Sequence, residues 1–108
     1  MTKYELFAMI FYALDAYYEE EVPEDINNFL GDMCPFTFAD ENSADPVVYE
    51  DYCEFIGSKE ISLENSFLLA KEYISQIKDL DLNEAFDDLT EEFWIQGCKE
   101  FLGTRKND

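Results

Sequence analysis

Apolar side chains recur at three- and four-residue steps through most of this chain, which is the spacing of one helix face. Tyr4, Phe7, Phe11, Leu14 and Tyr18 form a first stripe, and Leu6, Ile10, Ala13 and Tyr17 a second beside it. Two adjacent stripes leave a helix apolar around much of its circumference, which places it at the centre of a bundle. Thr2, with Glu5 three residues on, supplies a capping box for its start, and its end is expected near Glu20.

Later segments carry the same period with their own start and stop signals. Pro23 suits the first turn of a second helix, with Ile26, Phe29 and Leu30 inward and Gly31 as its stop. Residues 33–46 are the least regular part; Pro35, Asn42 and Ser43 favour turns, Phe36 and Phe38 alternate with small or polar neighbours, and a loop is expected. Asp45 before Pro46 starts a third helix that ends at Gly57, with Val48, Tyr52 and Phe55 inward. Ser62 caps a fourth, in which Leu63, Phe67, Ala70, Ile74 and Ile77 repeat. After the break at residues 79–83, a last helix is expected from about Glu84 to Leu102, with Phe86, Leu89 and Phe93 inward. Gly97 weakens that helix relative to alanine and suggests a close crossing, and residues 103–108 are expected to fray. The prediction is a single all-α domain, a compact bundle of about five helices.

Composition supports a folded chain: of 108 residues, 47% are hydrophobic and 17% aromatic, where a disordered acidic tail would be poor in both. Charge changes the picture more. Seven basic residues against 26 acidic ones give a net charge of −19, which excludes polyanionic nucleic acid and anionic lipid as direct partners. From Glu5 to Gly57 there are fourteen carboxylates and no lysine or arginine. Such a one-signed field repels itself and steers basic partners. The apolar start is interrupted by Glu5 and Asp15 and has no small-residue cleavage site, so it is expected to be a core helix of a cytoplasmic protein.

Catalytic and metal chemistry find little footing. Histidine is absent, which removes the commonest general base and metal ligand. Cys34, Cys53 and Cys98 are odd in number and widely spaced, so free thiols in a reducing compartment are expected. No lysine or arginine stands in the sequence around Cys34 and Cys53 to activate a thiolate. The four scattered glycines build no phosphate loop. Asp79, Asp81 and Asn83 alternate like the start of a calcium loop, but its sixth and twelfth positions hold Glu84 and Thr90 instead of Gly and Glu, so capping is the expected role. Asp40, Asn42 and Asp45 match no defined calcium loop, and paired carboxylates are too common here to single out a glycosidase. No enzyme activity, cofactor or metal is expected.

A protein-binding surface is the expected site. Glu19, Glu20 and Glu21 at the end of the first helix oppose its macrodipole and one another. Tyr17, Tyr18, Tyr49 and Tyr52 lie beside acids, and tyrosine is favoured where binding energy concentrates; Tyr17 and Tyr49 are expected to be the exposed pair. The candidate set is Tyr17, Glu19, Glu20, Glu21 and Asp25, followed by Asp40, Glu41, Asp45, Tyr49, Glu50, Asp51, Tyr52 and Glu54.

In order and charge, residues 4–78 resemble the small acidic all-α bacterial immunity proteins of the colicin DNase type. The resemblance runs through YELFAMIFYALDAYYEEE, EDINNFLGDM, a loop ending SADP, VVYEDYCEF and ENSFLLAKEYISQI. It implies a basic nuclease toxin as partner, Tyr49 and Tyr52 as anchoring tyrosines, and Asp25, Glu50 and Asp51 as their acidic companions. This chain departs from the family in having Tyr-Glu-Asp-Tyr in place of adjacent tyrosines, a longer loop and a further helix. Two other readings stand beside it: a mimic of nucleic-acid phosphates that inhibits a DNA-binding protein, with its acids spread along an elongated surface, and a non-catalytic structural or cation-binding helical domain.

Overall fold

Six helices follow one another in a computed structural model that describes residues 1–19, 21–35, 43–77 and 80–106, the stretch 104–106 by its backbone alone. They are α1 (Lys3–Tyr17), α2 (Glu24–Met33), α3 (Pro46–Ile56), α4 (Leu63–Ser75), α5 (Asn83–Asp87) and α6 (Glu91–Lys106), and the described residues contain no strand. The radius of gyration, 13.1 Å, is close to the value of about 13 Å for a folded domain of this length. The all-α single globule therefore stands, with six helices in place of five.

Local signals start the helices where the sequence suggested. The Thr2 hydroxyl accepts from Glu5 N while the Glu5 carboxylate accepts from Thr2 N at 2.7 Å, closing the capping box of α1. Asp45 accepts from Val47 N at 3.1 Å to cap α3, with Pro46 in its first turn. Ser62 and Asn65 exchange the same pair of bonds at the start of α4. Gly57 ends α3 at φ 56°, a left-handed conformation that suits glycine. Lys59 adds a cation there, donating to the Phe55 carbonyl at 2.9 Å and lying over the Phe55 ring.

Helix ends and the last register differ from expectation. α1 stops at Tyr17 and Tyr18 caps it, so Glu19 and Glu21 follow the helix instead of occupying its last turn, and their opposition to the macrodipole is weaker than expected. Gly31 does not stop α2. It is exposed, a Cβ added to it would meet nothing within 4 Å, and the helix runs on to Met33. The single last helix is two, because the Thr90 hydroxyl accepts from Phe93 N at 3.2 Å and starts a new helix after Asp88 and Leu89. That restart resets the phase: Phe86 remains buried, Phe93 turns outward to 69% exposure, and Trp94 and Cys98 point inward. Gly103 lies within α6, which continues to Lys106, so the tail is helical that far; residues 107 and 108 lie outside the described residues.

α1 is central, as its two stripes suggested, and packs against each of the other helices. Leu6, Phe7, Ala8, Ile10 and Leu14 are fully enclosed. Around them pack Ile26, Leu30 and Met33 of α2, Tyr52 and Ile56 of α3, and Ala70, Tyr73 and Ile74 of α4; Phe86 and Trp94 close the core from α5 and α6. Gly97 passes Met9 with room to spare, since a Cβ there would meet Met9 Cε at 3.6 Å, so glycine is not required for that crossing.

Candidate partner-binding surface

The candidate tyrosines divide between the two ends of α1. Near its start, Tyr52 is fully buried, packs on Phe7 and Tyr73 with ring centroids 4.8 and 5.1 Å apart, and donates its hydroxyl to the Lys3 carbonyl at 2.6 Å. Burial raises its pKa well above the usual phenol range, with Tyr49 adding to the effect. Tyr52 is therefore a core residue and is withdrawn from the candidate contacts. Its position two turns from Pro46 on the inner face of α3 dictates this. Tyr49 was expected to be exposed but is half-buried: its ring meets Phe7 edge-on at 5.1 Å and stacks on Tyr52 at 5.8 Å.

Tyr17 occupies the far end, ten residues beyond Phe7 and so roughly 15 Å along the helix axis. It remains 37% exposed, with its ring edge-on to Tyr18 at 4.9 Å. Its pKa is raised by desolvation, then by a hydrogen bond to Glu84 and the charges of Glu84 and Asp88. Tyr18 is buried, as its stripe suggested, but its hydroxyl has no hydrogen-bond partner among the described residues. Burial, Glu84 and Asp81 raise its pKa as well. Tyr17 and Tyr49 thus do not share a patch.

Among the acids, Glu19, Glu21, Asp25, Glu50, Asp51 and Glu54 are exposed. Glu19 and Glu21 join Tyr17 and Glu84 around a recess of about 730 Å³. Glu84 belongs to α5 and was not among the candidates; only the tertiary fold brings it beside Tyr17. Asp51 and Glu54 flank a second recess, of about 540 Å³, floored by Phe29, Val48, Phe55 and Tyr73 between α2, α3 and α4. Glu50 and Glu54, four residues apart on α3, repel each other without compensation along that helix. Two candidates have structural duties: Asp45 caps α3, and Asp25 Oδ1 accepts from Ile26 N in the first turn of α2. Glu20, Asp40 and Glu41 lie outside the described residues.

The base of the loop preceding α3 is tied down. Ala44 N donates to the Cys34 carbonyl at 2.9 Å and Asp45 N to the Asp32 carbonyl at 2.8 Å. Tyr4 donates its hydroxyl to the Pro35 carbonyl at 2.7 Å. Ser43 is buried, donates to the Asp45 carbonyl and accepts from Tyr49 N at 3.0 Å. These bonds fix where the start of α3 sits against α1.

The thiols take no part in a disulfide. Burial pushes Cys98 up to about 11, a hydrogen bond with Ser66 working the other way. Ser66 also receives the Trp94 indole N–H at 2.9 Å and donates to the Leu63 carbonyl. Trp94 was not singled out in the sequence; Thr90 followed by two glutamates is the signal that would have placed it. Asp81 accepts from Asn83 N at 3.2 Å, a local turn bond, but α5 starts after Leu82 without a side-chain cap, so the expected capping role is not seen there; Asp79 lies outside the described residues. Among the described residues no group of three or more Cys, Asp or Glu side chains is placed to hold a metal ion, and no helix among them is long and apolar enough to cross a membrane. Compared with protein-family models, curated proteins and solved structures, the chain matches none of them.

Proposed function

We propose that this chain is an acidic, non-catalytic inhibitor that binds a basic protein, in the manner of an immunity protein neutralising a toxin with nuclease activity. The observation that carries the reading is the recess at the end of α1. There the exposed ring of Tyr17 stands among Glu19, Glu21 and Glu84, and none of the lining residues is basic. A negative field of this kind speeds encounter with a cationic surface, while a tyrosine at its centre supplies contact area at low entropic cost. The molecule measures 35 × 30 × 26 Å. So nearly isometric a shape gives no long axis on which to lay out a phosphate-like row of carboxylates, which favours the inhibitor over the nucleic-acid mimic.

The first partner to try is the product of the neighbouring reading frame, co-expressed with this chain in a bacterial host. The expected result is a stable complex and loss of that product's toxicity. Association followed by stopped flow should slow steeply from low to physiological ionic strength, with dissociation much less affected. Glu19→Gln, Glu21→Gln and Glu84→Gln together should slow association further. Rates indifferent to salt, or toxicity undiminished by a bound complex, would overturn the reading.

A further inference from the structure

An apolar groove runs between α1, α5 and α6. Small residues line it: Ala13 and Ala16 of α1, Ala85 of α5 and Gly97 of α6. Tyr12, Tyr17 and Phe93 make its walls and are 42%, 37% and 69% exposed. Single exposed apolar side chains are ordinary on a protein surface, whereas a contiguous set around one groove marks a place for a partner. The α1 side, Met9 to Tyr17, extends for about 12 Å, or two helical turns, and the groove encloses about 470 Å³. Its acidic wall residue is Asp88, and it shares Ala16 and Tyr17 with the recess that carries Glu19, Glu21 and Glu84.

Charge and backbone chemistry select the occupant. A second copy, itself of net charge −19, would be repelled by the first, and an anionic membrane likewise. An extended strand would need a sheet edge to satisfy its backbone, and the described residues contain no strand. A helix satisfies its own backbone groups and can offer apolar side chains along one face and cations at its ends.

We infer that the groove receives an amphipathic helix of the basic partner. Its apolar side chains at i, i+3 or i+4 and i+7 seat between Tyr12, Tyr17 and Phe93. Lysine or arginine beyond them reaches Asp88 and the carboxylates of the adjoining recess. This rests on the basic-partner reading and names the element by which that partner docks.

The probe is a synthetic helical peptide with leucine along one face and lysine elsewhere, set against a scrambled peptide of equal composition that has no apolar face. Trp94, the chain's one tryptophan, lines the groove and reports occupancy by its fluorescence. The amphipathic peptide should bind at physiological salt and the scrambled one at least about tenfold more weakly. Phe93→Ser, which removes an aromatic lining residue, and Ala16→Leu, which adds bulk to the lining without changing charge, should each weaken binding by roughly tenfold. Leu68→Ser, at a comparably exposed position on α4, should not, and thermal melts confirm that all three variants fold. Equal binding of both peptides, or indifference to Phe93→Ser and Ala16→Leu, would overturn the groove while leaving the basic-partner reading standing. Failure of both peptides to bind even at low salt would remove that reading as well. A wild-type dimer that Phe93→Ser turns into a monomer would assign the groove to a second copy and overturn the proposal.

Discussion

At the start of α1 every phenol is tied in, whereas at its end the same chemistry is left open. Tyr4 and Tyr52 lie inside and place their hydroxyls on the Pro35 and Lys3 carbonyls, and Tyr49 lies across Phe7. At the other end Tyr17 is 37% exposed and hydrogen-bonded to Glu84, and Tyr18 is buried with a hydroxyl that has no hydrogen-bond partner among the described residues. Both ends combine aromatic rings with carboxylates nearby. The hydroxyls of Tyr4 and Tyr52 end on backbone carbonyls where a loop or helix start passes close, and that of Tyr17 on a carboxylate where α5 passes. A tyrosine closed by a carbonyl inside the core belongs to stability, whereas Tyr17, held by a carboxylate, keeps part of its ring exposed.

Tyr52→Ala should break this contrast most visibly, costing about 3–5 kcal/mol in urea unfolding because it empties an enclosed site. Tyr17→Ala should leave the urea midpoint almost unchanged, as surface substitutions generally do; equal losses at both positions would erase the distinction. The next largest effect is alkaline. Tyr52 and Tyr73 have folded pKa values raised above the ordinary 10, chiefly by burial. In each, the native state holds its proton where the unfolded chain releases it. Their contribution to stability is complete below pH 10 and is lost as pH rises toward the folded values. Unfolding followed by circular dichroism should therefore show stability falling above about pH 10, the ordinary phenol value, and a flat profile there would contradict the closed cluster.

Single hydroxyls sharpen the contrast further. Tyr52→Phe should lose about 1 kcal/mol with its bond to Lys3, whereas Tyr18→Phe should gain up to about 1 kcal/mol by removing a buried hydroxyl that has no hydrogen-bond partner among the described residues. The same sign for both would mean that the two hydroxyls are equally satisfied. Smallest is Gly31→Ala, expected to raise stability by up to ~1 kcal/mol, since the site is helical, exposed and clear of neighbours. A loss there would show that Gly31 is the helix stop its sequence position suggested.

Most of the bundle could be derived from residue order because its signals are local. Thr2 with Glu5, Asp45 with Pro46, and Ser62 each place a helix start by bonds made within a few residues. The stripes of α1 predicted its central position for the same reason. The division of α5 from α6 was hidden because Phe86, Leu89 and Phe93 are spaced as one helix face, and a capping threonine between them outweighs the stripe. The candidate surface was less legible. Burial of Tyr18 follows from its stripe, but Tyr17 is exposed at the end of the stripe that buries Leu6 and Ile10, and the approach of Glu84 to it depends on how α5 folds back across α1. Tyr49 illustrates the same limit: its half-buried state comes from Tyr4 and Phe7, more than forty positions away.

The paired amides and carbonyls that join Asp32 and Cys34 to Ala44 and Asp45 have a practical use. They bring two points of the chain together independently of the residues between them, and lengthening a closed segment costs only logarithmically in entropy. An epitope or fluorescent module spliced between positions 35 and 43 would thus hang from a clasp that is already shut.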